Sequence, residues 1–431
     1  MTTQAQELVD LALKMGASHA EVYQSRSLSH PVFFEANRLK QLESSQSQGI
    51  ALRLWKQGRP GLAVAYGEVE SQRLVEKAIA LSELNCPETI ELSEPRTAIY
   101  PNVGNIIPVE NLVEVGKNAI AKLREAYPAA LCSGEFSCEQ DVTCLINSQG
   151  LHCQYSDTSI NYYLGLEWVR EEDFLGIYEG EQTRDQLNTD KVVKEILQRL
   201  EWAKENVLPP IGRTPILFTP NAASLLWETV ADAINGKVVL EKSSPWGDKL
   251  GEKVISEKLT LSQQPNHDPY ICPFDDEGTS TQNLALISQG KLQQFYSDRT
   301  IGRAFGKQST GNGFRPSLGR YPTPSLVNLI VEPGTHTFDE LIQQLDHGII
   351  VDQMLGGGTD ISGEFSVNVD LGYCVSNGQI TGRVKDTMVS GNVYPALKQV
   401  IALGNDPRWT DSCYTPSLII DGLFVIPISQ T

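Results

Sequence analysis

Hydrophobic and polar positions follow two rhythms along this chain. Ala5, Leu8, Val9 and Ala12 recur at i, i+3, i+4 and i+7 and the pattern stops at Gly16, so residues 4–15 read as an amphipathic helix. From residue 20 the rhythm shifts to partial alternation rich in β-branched and aromatic residues. Residues 20–27, 31–45 and 50–55 read as strands, and Gln57-Gly58 turns the chain into a further strand over 61–66. Ser71 opens a predicted helix to about Leu84, and a proline-punctuated stretch follows over 86–108. Leu112, Val115, Ala119 and Leu123 then share one face of a helix over 109–126, which must stop before Pro128.

Strand rhythm resumes beyond it. Residues 141–155 read as a hairpin turning at Ser148-Gln149-Gly150, followed by strands over 159–169 and 174–180. Thr189 or Asp190 starts a helix carrying Val193, Ile196, Leu197 and Leu200, which runs into the linker Leu208-Pro209-Pro210-Ile211-Gly212. Downstream, helices are predicted over 221–235 and 338–345, the second opened by a Thr337/Glu340 capping box and closed at Gly348. Hairpin turns are expected at Ser288-Gln289-Gly290 and at Asn377-Gly378. Hairpins separated by helices predict an α+β fold of antiparallel sheets with flanking helices, not a parallel βαβ wind. The expected domains are 1–90, 91–208 and 209–431, the last rich in strands.

Composition narrows the function classes. A chain of 431 residues with 40% apolar and 20% charged residues can bury more than one core and is neither disordered nor fibrous. Its 35 basic against 53 acidic residues give a net charge of −18, a field that repels phosphate backbones and anionic lipid, so neither nucleic acid nor membrane is an expected partner. The opening Met1-Thr2-Thr3-Gln4 offers no basic and then apolar leader pattern, which predicts a cytoplasmic protein. The eight cysteines include no Cys-x-x-Cys pair. Cys132, Cys138 and Cys144 would share a strand face if one strand ran through all three, a continuity that Gly134 puts in question. Reduced buried thiols are the expected state, with a metal or redox role as the alternative.

Candidate chemistry is sparse. The histidines at 19, 30, 152, 267, 336 and 347 include no i, i+4 pair, and there is neither a nucleophile elbow nor a P-loop. Gly356-Gly357-Gly358 precedes turn and strand, so close backbone packing or a loop rim is expected there and not a phosphate cradle. Asp275-Asp276-Glu277 reads as a solvated or turn-capping triplet, with a divalent-cation site as the alternative. On the 221–235 helix, Ser224, Glu228, Asp232 and Asn235 form one polar stripe while Leu225, Leu226, Val230, Ala233 and Ile234 face elsewhere. The stripe is either a solvent face or the lining of a cleft in which Glu228 has catalytic work.

Several segments resemble the TldD/PmbA family, whose PmbA side is also called TldE, described both as modulators of DNA gyrase and as metallopeptidases. They are GASHAEVYQSRS and NRLKQLESSQSQGIALRLWKQGRPGLA early in the chain, then PFDDEGTSTQN, IVEPGTHTFDELI, GGGTDISGEFSV and TPSLIIDGLFV in the same order as in the family. TldD-type chains carry His-Glu-x-x-x-His on the helix just described, with a cysteine from the C-terminal segment as a further zinc ligand. Here the matching residues are Trp227-Glu228-Thr229-Val230-Ala231-Asp232: both histidine positions are replaced and only the glutamate survives as Glu228. The glycine-rich stretch around the family's ligand cysteine is not matched near Cys413, so that role is not carried over.

The resemblance implies a TldE/PmbA-like subunit of a cytosolic complex that degrades flexible peptides. It would hold no metal, the zinc belonging to a TldD-type partner, and would offer edge strands able to hold an extended peptide by backbone pairing. The alternatives are a self-sufficient homodimeric hydrolase and a peptide-binding scaffold without catalysis.

Overall fold

A computed structural model describes residues 2–170 and 173–427. The chain folds as α+β with largely antiparallel sheets, and the helices and hairpins fall within a few residues of the positions their patterns predict. The N-terminal half is built on one nine-stranded sheet. His19–Ser29 and Val32–Glu35 lie end to end along the same edge of Leu131–Asn147, in unbroken register from Ser29↔Glu139 to Val32↔Phe136. Leu151–Arg170 pairs along the opposite edge of that long strand, followed by Asp173–Thr183. Strands from both sides of the boundary expected near residue 90 therefore share one sheet.

The long strand passes straight through Gly134, which pairs with Leu164 and Phe34, so Cys132, Cys138 and Cys144 do lie on one continuous strand. All three are buried and none is in a disulfide. Cys132 and Cys138 pack with Leu112, Ala119 and Leu123 of the helix Val109–Ala126, and Cys144 packs with Leu8 and Val9 of the helix Thr2–Lys14. A carbonyl at Tyr163 would lie 2.8 Å from any Cβ at position 134, so this strand pairing requires glycine there.

In the C-terminal half, Gly348–Leu355, Gly212–Phe218, Leu418–Pro427, Thr387–Asn392 and Glu364–Ser376 pair in sequence, and Glu364–Ser376 pairs back onto Gly348–Leu355. The result is a closed ring of strands, and closure removes the free edges that an open sheet would present. Gly212–Phe218 runs parallel to Gly348–Leu355 within this otherwise antiparallel ring. A second sheet of short strands ends at Arg408–Thr410. The helix Pro220–Ala233 sits in the core that joins these two sheets.

Candidate functional site

Pro220 occupies the first turn of this site helix, where its missing N–H costs nothing. Thr219 precedes it as N-cap, yet its hydroxyl does not cap the helix: it donates to Asp352 Oδ1 at 2.8 Å, tying the helix start to the strand Gly348–Leu355. The inward face is apolar, with Ala222, Ala223, Leu226, Val230 and Ala233 buried. Trp227 belongs to that face. Its side chain is 1% exposed, and its indole Nε1 donates to Thr415 Oγ1 at 2.7 Å.

The outward face carries three of the four stripe residues. Ser224 is half-buried and Glu228 and Asp232 are exposed, whereas Asn235 caps the next helix by accepting from Lys237 N and donating to Pro324 O. Partial burial, then the charges of Asp411 and Asp232, hold the Glu228 carboxyl above its usual range. Burial also pushes Asp232 up. Cys413 lies buried beneath, its thiol held protonated first by burial and then by the field of Glu228. Thr229 donates to Thr359 in the loop that follows the three glycines, where Gly356 and Gly357 have φ of +65° and +80°.

Past Ser224 the stripe opens into a cleft of about 620 Å³ between the two halves of the molecule. Tyr163 and Tyr178 line one side, Gln353, Met354 and Asp370 the floor, and Trp409 and Asp411 the other side. Asp173–Thr183 borders this cleft as an edge of the large sheet, but its outward backbone is already engaged. Tyr178 N–H donates to Gln353 Oε1 at 3.0 Å, Gln353 Nε2 donates to the Gly176 carbonyl at 3.2 Å, and Arg383 donates to the Phe174 carbonyl at 3.0 Å. A peptide adding to this edge as a strand would have to displace Gln353.

The residues present do not fit the zinc site that the resemblance raises. Position 227 is in the core and position 232 in solvent, and neither carries an imidazole. The remaining donors are carboxylates and a buried protonated thiol. Among the described residues, no three His, Cys, Asp or Glu side chains converge as a metal-binding group.

Sequence reasoning missed the charged cluster behind the cleft. Arg199 Nε lies 3.2 Å from Asp352 Oδ2, and Arg199 also pairs with Glu179. Arg408 grips Glu195 with both guanidinium nitrogens at 2.7 and 2.6 Å. The available signal was Arg199 itself, which falls on the apolar stripe of its helix beside Val192, Ile196 and Leu200. The acidic triplet does cap turns but is not solvated: Asp275 is fully buried, accepting from the N–H groups of Glu277, Thr279 and Gly313.

Two family models match the chain, the PmbA/TldA metallopeptidase C-terminal domain over residues 211–426 and PmbA/TldA metallopeptidase domain 1 over residues 20–82. A metalloprotease from Methanothermobacter thermautotrophicus is 24% identical over 408 residues, covering 90% of this chain and 88% of that protein. A metalloprotease PmbA homolog from Haemophilus influenzae is 24% identical over 439 residues, covering 96% and 93%. The solved structure of TldE from Thermococcus kodakarensis superposes with a TM-score of 0.91 at 23% identity, covering 98% of this chain and 99% of that one, and so shares its fold.

Proposed function

We propose a role that proceeds from the family: this chain belongs to the PmbA/TldD metallopeptidases. Within it, we infer that the chain is a TldE/PmbA-like, zinc-free subunit of a cytoplasmic peptidase complex acting on flexible peptides. The observation that carries this reading is the seating of Trp227. A side chain buried in the core and hydrogen-bonded to Thr415 leaves no ligand at the first histidine position; the helix lines the cleft with Asn221 and Ser224, and Glu228 and Asp232 lie on its exposed face.

A partner bearing the intact motif would then hold the zinc, and this chain would contribute a wall of the substrate cleft. An exposed apolar surface beside the cleft supports a covering subunit. Val169 and Phe174 are 64% and 52% exposed and paired across neighbouring strands, next to Tyr178 and Leu131. Such a patch commonly marks a protein interface.

The test is reconstitution. The dialysed chain alone should hold no stoichiometric zinc by elemental analysis. Mixed with its host's His-Glu-x-x-x-His homologue, it should co-elute as a stable heteromer and digest an unstructured peptide only when both chains are present. One tightly held zinc per isolated chain, digestion by this chain alone, or failure to co-elute would each overturn the reading.

A further inference from the structure

A second cleft, of about 710 Å³, lies away from the site helix at another junction of the two halves. Residues 90–96 form one wall, and 278–282 with 299–309 form the other. Arg96 and Arg299 converge there on the turn Gly278-Thr279-Ser280. Arg96 donates to Ser280 Oγ, to the Gly278 carbonyl at 3.1 Å and to Cys153 Sγ at 3.4 Å. Arg299 donates through Nε to Thr279 Oγ1 at 3.0 Å and through Nη2 to Ser93 Oγ.

These partners are hydroxyl, carbonyl and thiol groups, and none neutralises a guanidinium. The contrast within the same cleft is Arg303, which is ion-paired with Glu91 at 2.6 Å. Glu277, which accepts the Arg299 backbone N–H, is buried, and that burial raises its carboxyl above the usual range while the charges of Arg53 and Arg299 pull it down. The exposed Lys307 adds a third cation at the rim against the single exposed Glu94. In a chain of net charge −18 this is a local reversal of sign.

We propose that this cleft binds a small ligand carrying phosphate or clustered carboxylate groups. Two planar guanidiniums converging on one turn and held by neutral partners present the fork geometry that such oxyanions accept, and the Thr279 and Ser280 hydroxyls supply further short contacts. Because Arg96 comes from the N-terminal half and Arg299 from the C-terminal half, the ligand bridges the two. The inference is independent of the role proposed for the site helix.

Isothermal titration of the full chain at constant ionic strength, with inorganic phosphate in one series and citrate in the other, tests it and separates the two oxyanion sources. At least one anion should bind. Arg96→Gln and Arg299→Gln should each weaken it about tenfold or more, and Lys307→Gln about two- to fivefold. Lys122→Gln, on a distant exposed lysine, should leave the affinity within twofold. Should Arg299→Gln fail to fold, Arg96→Gln and Lys307→Gln carry the test. No binding of either anion below about 10 mM, or losses in the cleft variants no larger than that of Lys122→Gln, would overturn the proposal.

Discussion

Among the polar seams that join the large N-terminal sheet to the C-terminal half, two treat buried charge differently. At the seam behind the site cleft, guanidiniums meet carboxylates directly: Arg199 with Glu179 and Asp352, Arg408 with Glu195 and, at 3.2 Å, with Glu179. At the seam around the acidic triplet, Glu21 pairs with Arg53 at 3.0 Å and Arg315 at 3.4 Å, while the triplet itself is satisfied mostly by backbone N–H groups. Amides satisfy lone pairs but cancel no charge. The triplet carboxyls therefore all stay above their usual range through burial, Asp276 at about 6. Even at the first seam burial holds Asp352 up, with Arg199 pulling the other way. A satisfied hydrogen bond and a neutralised charge are separate requirements, and Asp275, held by three backbone N–H groups, meets the first without the second.

The largest expected effect breaks the first seam. Arg199→Leu leaves Glu179 and Asp352 buried with one cation fewer and should cost about 3–5 kcal/mol in urea unfolding. A loss below about 1 kcal/mol would mean that the cluster contributes nothing net.

The second seam is probed by pH. A carboxyl whose folded pKa is raised binds its proton more tightly in the folded state, so its contribution is fully present below about pH 4 and lost as pH rises through its folded value. For Asp276 that window runs from about 4 to about 6. Asp276→Asn keeps an acceptor for the Arg315 N–H and removes the titration. Its stability relative to wild type should rise across that window by on the order of 2 kcal/mol. A parallel pH profile for wild type and Asp276→Asn would remove the distinction between the seams.

Smaller effects belong to the site helix, tied to the first seam through Thr219. Trp227→Phe removes the indole N–H but leaves Thr415 Oγ1 its bond to the Pro416 carbonyl, so about 1 kcal/mol should be lost in thermal unfolding. Glu228→Gln relieves repulsion from Asp411 and Asp232 and should stabilise by a few tenths of a kcal/mol. If Glu228 is no general base, reconstituted proteolysis should stay within about twofold, since loss of a working base costs ~10² or more.

What the sequence by itself determined is local. The turn at Asn377-Gly378, both at positive φ, the reciprocal Thr337/Glu340 cap and the buried and exposed faces of the site helix each depend on residues a few positions apart. That Trp227 and Asp232 offer no imidazole was equally legible, because residue identity alone decides it. The tertiary structure decided the rest. Periodicity says that a face is buried but not against what, so nothing near Arg199 announced Asp352, and nothing near Ser93 announced its bond to the Glu277 carbonyl, 184 positions away. Gly134 read locally as a break, yet it continues a strand because the neighbouring strand's backbone crosses where its side chain would be. Buried charges and close backbone approaches take their meaning from partners that only the assembled sheets bring together.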